Sequence, residues 1–332
     1  MKDDASSTQA GMKSKILERP LDRNMERAIE APESAVSTNA GTSPQATNQR
    51  LKVLKTYKIY INGKFPRTES GRYFVFKSAD GQEIANVSLS SRKDLRDAVS
   101  AARGAQTGWS ATTAMIKGQI LYRIAEMLEG RRSQFLEELR LEGYSDRQAE
   151  KELNLAIDRL VYYAGWADKY QQLFSTVNPV ASSHFNFSVL ESTGVVAILA
   201  PEECSLLGLV SVLAPAIVGG NAVVLLASQL RPLSAVTFSE VLHSSDVPGG
   251  VVNILTGNKS ELFSHMTTHM DVNAALYCGE IEDEKKLLET NAALNVKRAI
   301  TWKKDWTSDD AQNPYMILDL QEVKTTWHPV GI

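Results

Sequence analysis

The sequence predicts an α/β fold in which a parallel sheet carries helices on both faces and a separate hairpin projects from it. Three observations predict it. Between residues 195 and 302, short strands alternate with helices, the signature of βαβ units. The strands are apolar throughout, as in Val195-Val196-Ala197-Ile198-Leu199, which marks burial on both faces. A chain of 332 residues with 43% hydrophobic content is also long and apolar enough to build a large core.

Residues 1–50 are rich in Ser, Thr, Ala, Asn and Gln and contain no Phe, Trp or Tyr. Such a segment cannot bury enough apolar surface to offset its ordering entropy, so disorder is expected there. Within it, Ile16, Leu17, Leu21, Met25 and Ile29 have helical spacing, which suits a solvated, fraying helix or a docking peptide. Order is expected from Lys55. Residues 57–61 alternate and run into Asn62-Gly63, a hairpin signal, then Lys64-Phe65. Residues 86–89 read as another strand. Ser91 precedes Asp94 by three residues and caps a helix that turns Leu95, Ala98, Val99 and Ala102 inward.

Helices follow over 112–131, Arg132–Leu141 and 145–174. The last carries Leu153, Ile157, Leu160, Val161 and Ala164 at helical spacing. Gly165 inside it costs about 1 kcal/mol relative to Ala, which predicts close packing or a bend. Strands 185–190 and Val195–Leu199 come next, then helix Leu206–Val218 and strand 222–225. Helices at 233–242, 261–266 and 282–292 alternate with strands at 251–255, Ala274–Tyr277 and 299–302. Open parallel sheets bind ligands beyond the carboxyl ends of their strands. Function is therefore expected in the loops after Leu199, Leu225, Leu255 and Tyr277.

Bulk properties exclude several classes. A net charge of −3 gives no reason to expect nucleic acid or an anionic membrane as partner. The longest nearly apolar run, 206–219, is too short to span a bilayer and contains Pro215. The start, MKDDASSTQ, lacks the apolar stretch of a secretory signal. Two cysteines, Cys204 and Cys278, make neither a disulfide framework nor a zinc site. A cytoplasmic protein without a metal is expected.

Several motifs between Tyr57 and Trp302 resemble the aldehyde dehydrogenase superfamily. They are Ala214-Pro215-Ala216, the run from Gly220 to Leu225 (GNAVVL) and the run from Pro248 to Gly257 (PGGVVNILTG). His269-Met270-Asp271-Val272-Asn273 is similar to the superfamily's approach to its next strand. The chain looks most like the truncated second unit of two-unit aldehyde dehydrogenases, whose ending resembles Trp327-His328-Pro329. The resemblance implies an NAD-binding-domain-like fold over 55–306, with an oligomerisation hairpin at about 174–194. Residues 307–332 would be a linker, polar over 308–313, and a C-terminal oligomerisation strand. The catalytic domain that the family places between these parts is missing from this order of elements.

The family's chemistry needs a cysteine thiolate, an oxyanion site, NAD(P) and a Glu base. Carried over position by position, the resemblance puts Glu203 where the family has its oxyanion-donating Asn, and an ionised carboxylate cannot donate. Cys204 falls on the family's Phe and reads as a structural thiol. The family's ribose-binding Lys and Glu become Leu226 and Gln229. Its Gly-Ser at the diphosphate becomes Gly279-Glu280, ahead of a first helical turn with three more acids. The general base becomes Trp302, and indole is no base. No catalytic residue is assigned. Gln229, Gly257 and Gly279 are what remains for a dinucleotide, so no cofactor is expected, with NAD(P) as the alternative.

The joining elements still resemble the family. Phe185, Phe187 and Val189 on the hairpin, with Val323 and Trp327 on the closing strand, offer apolar side chains for association. The expectation is an inactive subunit that scaffolds or regulates, as a homo-oligomer or with a catalytic aldehyde dehydrogenase homologue. The alternatives are an NAD(P)-binding sensor and an oxidoreductase active only with such a homologue.

Overall fold

The computed structural model describes residues 53–331 except Ala79; the segment 1–50 and its helical stretch at 14–29 lie outside the described residues. The amino-terminal strands β1 (Lys55–Tyr57), β2 (Tyr73–Lys77) and β3 (Glu83–Ser88) form a small sheet in the order β1-β3-β2. Asn62 and Gly63 make the expected tight turn, with φ 52° and 71° and a single bridge between Ile61 and Lys64. Its arms, however, do not form a hairpin. Tyr57 pairs with Val87 of β3, and Tyr60 bridges to Ile254 on the central sheet.

Helix α1 (Arg92–Ala111) starts in the predicted capping box, in which Ser91 and Asp94 satisfy each other's backbone N–H groups. Helices α2 (Ala114–Gly130) and α3 (Arg132–Leu141) follow as expected. The long helix expected over 145–174 is two: α4 (Asp146–Trp166) and α5 (Tyr170–Phe174). The break lies just after Gly165, whose surroundings are open. The close packing belongs instead to Gly118, where a Cβ would lie 3.1 Å from the Ala164 carbonyl oxygen and 3.3 Å from Ala167 Cβ.

The central sheet is all parallel. Its strands β6 (Val195–Leu199), β7 (Ala222–Leu226), β8 (Val252–Leu255), β9 (Ala274–Tyr277) and β10 (Arg298–Thr301) stand in the order β10-β9-β6-β7-β8. Between them run α6 (Leu206–Val218), α7 (Leu233–His243), α8 (Lys259–Thr268) and α9 (Glu282–Ala293). Alternate residues of one strand serve opposite cores. Val196 and Ile198 join the cluster with α2, α4, α6 and α7, whereas Val195, Ala197 and Leu199 join the one with α1, α8 and α9. Burying each such side chain is worth roughly 1.5–3 kcal/mol, which is why β6, buried on both faces, carries no polar face.

A third sheet, β11-β5-β4, is antiparallel and holds β4 (Thr176–Asn178), β5 (His184–Ser192) and β11 (Gln321–Pro329). The closing strand pairs along its length with β5 of its own chain, from Gln321↔Ser192 to Pro329↔His184. Residues 302–320 lead to it, and they are anchored rather than a loose linker. They contain a 3-10 turn, Asp309–Ala311, with Ala311 buried, and a short helix α10 (Tyr315–Leu318). No described helix is long and apolar enough to cross a membrane.

Candidate functional site

Strand order reverses between β6 and β9, because β7 and β8 extend the sheet to one side of β6 and β9 and β10 to the other. The crevice beyond the carboxyl ends at such a switch point is where open α/β sheets place ligands. In this chain the loops after Leu199 and Tyr277 flank it. Helix N-termini converge on the same end, and their free N–H groups and dipoles attract anions.

At α6 and α7 those anion positions are filled by the protein's own carboxylates. Neither α6 nor α7 is capped by its own N-cap side chain. Glu152, on α4, accepts from Leu207 N at 3.2 Å. Glu142, after α3, accepts from Leu233 N at 2.6 Å and Ser234 N at 3.3 Å, while its other oxygen accepts from Ser205 Oγ at 2.7 Å. Glu202 takes the amides of Gln229 (2.8 Å) and Leu230 (3.3 Å) and the Ser228 hydroxyl (2.9 Å). On α9, Glu284 accepts from the Tyr277 hydroxyl and pairs with Lys259 Nζ at 2.9 Å, joining α8 to α9.

Burial sets the acidity of the deep members. It pushes the Glu142 carboxyl up to about 7, and its three donors only partly oppose the rise. Burial also raises Glu152, against hydrogen bonds from Tyr144 and the first amides of α6. Both thiols are raised by burial, Cys204 further by the nearby Glu152 and Cys278 by Glu203, so neither is an activated nucleophile.

Residues 65–301 match the aldehyde dehydrogenase family. The chain belongs to that family. It is 30% identical over 256 residues to mouse cytosolic 10-formyltetrahydrofolate dehydrogenase, covering 75% of this chain and 28% of that protein. It is 31% identical over 254 residues to aldehyde dehydrogenase, cytosolic 1, of Elephantulus edwardii, covering 75% of this chain and 50% of the relative. Among solved structures, Staphylococcus aureus betaine aldehyde dehydrogenase in complex with NAD+ superimposes with a TM-score of 0.70 at 25% identity, covering 74% of this chain and 50% of the other. An NAD+ complex of a Bacillus cereus aldehyde dehydrogenase gives 0.71 at 23% identity, covering 74% and 50%. The chain thus spans half or less of the length of these relatives.

The positions singled out in the sequence can now be placed on the aldehyde dehydrogenase framework. Glu203 is exposed at the end of the β6 loop, and its carbonyl oxygen accepts from Arg231. Leu226 is buried as the last residue of β7. The Gln229 side chain is committed locally, accepting from Lys259 N at 3.3 Å. Gly257 has φ +152°, and a Cβ there would lie 3.1 Å from Ser90 N, so glycine serves the backbone turn. A methyl group at Gly279 would overlap the Tyr277 hydroxyl, because that ring folds back over the loop to reach Glu284. Glu280 forms a well-exposed pair with Lys303 at 3.2 Å, which adds little stability. Trp302 is buried and donates from Nε1 to Asp319 at 3.0 Å, so it ties β10 to the approach to β11.

The structure adds residues that the sequence reading missed. Glu142, Glu152 and Glu202 read as ordinary charges because the amides they cap belong to other segments. Tyr277 reads as one more apolar residue at the end of a buried strand. No local pattern marks any of them.

The antiparallel sheet β11-β5-β4 has two unlike faces. Cross-strand partners share a face, so Phe185, Phe187 and Val189 lie with His328, Thr326 and Lys324. Val323 and Trp327 lie on the other face, opposite Leu190 and Asn186. That second face also carries a polar ladder: Asn178 Nδ2 donates to Asn186 Oδ1 (2.6 Å) and Ser188 Oγ (3.0 Å), and Ser188 meets Thr325 at 2.8 Å. Val323 and Trp327 remain 60% and 57% exposed, and no described strand pairs with the outer edge of β11.

Proposed function

We propose that this aldehyde dehydrogenase family chain is a catalytically inactive cytoplasmic subunit, structural or regulatory in role. It joins a second copy of itself or a catalytic aldehyde dehydrogenase homologue through the hairpin sheet. The observation that carries the reading is the set of internal carboxylates at the carboxyl end of the sheet. Glu152 and Glu142 take the first amides of α6 and α7, and Glu202 takes those of the loop before α7, which a bound anion would need free. Trp302 and Glu203 supply neither base nor oxyanion donor, and no cysteine follows β10 in this chain. The open edge of β11 is a template for strand addition.

Two readings compete with it. An NAD(P)-binding sensor is favoured by the likeness in fold to NAD+ complexes. An oxidoreductase active only beside a catalytic homologue rests on family membership. Native mass measurement of the full chain, alone and with a catalytic homologue from the same cell, should give dimers or mixed assemblies. Val323→Lys with Trp327→Lys should abolish them, because inward charges block strand addition. A chain that stays monomeric in both settings would overturn the subunit reading. Saturable NAD(P)+ binding at millimolar concentration would establish the sensor, and NADH formation only in the mixture would establish complementation.

A further inference from the structure

One guanidinium at the carboxyl end of the sheet keeps an edge free of hydrogen bonds to the described residues, with Glu152 as its coulombic neighbour. Arg231, on the loop from β7 to α7, stacks its guanidinium on the Tyr144 ring, 4.5 Å from the centroid. Its Nη1 donates to the Tyr144 hydroxyl at 2.8 Å and to the Glu203 carbonyl oxygen. Its Nε and Nη2 groups make no hydrogen bond to any described residue, and no described carboxylate lies within ion-pair distance of it. The acids around it are differently placed: Glu142, Glu152 and Glu202 are committed to backbone amides.

Arg231 borders a cleft of about 490 Å³, a volume typical of small-molecule sites. Tyr144, Cys204 and Trp306 supply aromatic and apolar wall, and Lys304 and Thr307 stand at the rim. The stacking and the two Nη1 bonds fix the plane of the guanidinium, so little ordering remains to be done when a ligand arrives. The free edge, Nε and Nη2, has the spacing of the two oxygens of a carboxylate. The wall selects among anions. The charges of the lining offset one another, Arg231, Lys151 and Lys304 against Glu152, Glu203 and Asp305, so the aromatic surface of Tyr144 and Trp306 is what favours an organic anion over inorganic phosphate.

We propose that this cleft binds a small monocarboxylate with a short apolar or aromatic tail, its carboxylate bridging Nε and Nη2 of Arg231. The site is independent of the subunit reading, since it needs neither a dinucleotide nor a partner chain.

The test is a titration of the full chain with benzoate, acetate and inorganic phosphate, followed by calorimetry or NMR shifts. Benzoate should saturate, with acetate weaker and phosphate weakest. Arg231→Gln should weaken benzoate by about tenfold or more, the loss of a charge-assisted bidentate pair. That variant also gives up the ties to Glu203 and Tyr144, so thermal unfolding is measured alongside. Thr307→Trp decides independently, because it fills the cleft from its exposed rim and leaves the contacts of Arg231 in place; it too should remove binding. The proposal is overturned by absence of saturable benzoate binding, by binding that survives Thr307→Trp, or by phosphate binding as tightly as benzoate.

Discussion

Glu142→Gln tests how the buried carboxylates work, because it keeps shape and removes only the titration. Glu142 is 7% exposed and bridges the loop before α6 to the first turn of α7. Burial raises its carboxyl from 4.5 to about 7, so between those values the folded chain holds a proton that the unfolded chain has released. The group's contribution is therefore full below the unfolded value and is lost as pH rises through the folded one. The gap corresponds to roughly 3 kcal/mol at 1.36 kcal/mol per pKa unit. Glu138 adds to the rise and is coupled to Glu142, so the difference between wild type and variant reports the pair. Gln can still accept from Leu233 N, and Ser205 can turn its hydroxyl toward the Arg231 carbonyl, 3.2 Å away. Urea unfolding followed by tryptophan fluorescence, from about pH 5 to 8, should show wild type losing up to roughly 3 kcal/mol relative to Glu142→Gln. A difference that stays constant across that range would refute the reasoning.

Two further substitutions probe the same end of the fold. Arg159 is 2% exposed and donates to the carbonyl oxygens of Trp306 (3.0 Å) and Ser308 (3.3 Å). Arg159→Met should leave the Trp306 carbonyl without a donor, while Ser308 keeps the Ala311 amide at 3.2 Å; it should cost about 1–3 kcal/mol and speed amide exchange in 302–320 ahead of the rest, and unchanged exchange there would remove the anchoring role. Gly279→Ala should drive Tyr277 off Glu284, lower stability by about 1–3 kcal/mol and add little in a Tyr277→Leu background, which lacks both the hydroxyl and the ring carbons that the new Cβ would meet. Additive losses would mean that Gly279 matters for another reason.

The parts of the fold legible in the sequence are those whose environment repeats along the chain. Strands buried on both faces read as unbroken apolar runs, so β6 and β9 keep the predicted limits. Helix α6 does too, because Gly219-Gly220 closes its run. The capping box of α1 is local chemistry and was fully visible. Strand β2, only half-buried, has no face to write into the alternation, and β4 is three residues long. The break between α4 and α5 falls at Ala167-Asp168-Lys169, none of which is a helix breaker. The site was legible only as departures from a family pattern. Glu203 and Trp302 stand out because other residues were expected, whereas Glu142, Glu152 and Arg231 act across long separations that no spacing rule reaches.

That division explains why an altered site can sit on an intact framework. A helix N-terminus that awaits a soluble anion is stabilised only in proportion to ligand occupancy. One that receives a carboxylate from another helix is satisfied whenever the chain is folded. On the proposed reading the internal acids stand in for a bound anion at two helix starts, and they couple elements: α4 to α6 through Glu152 and the end of α3 to α7 through Glu142. The cost falls on acidity, since Glu142 and Glu152 are held in low-dielectric surroundings that resist their charge. In the proposed subunit, a framework held by its own carboxylates needs no ligand in order to present the exposed edge of β11 in one register to another chain.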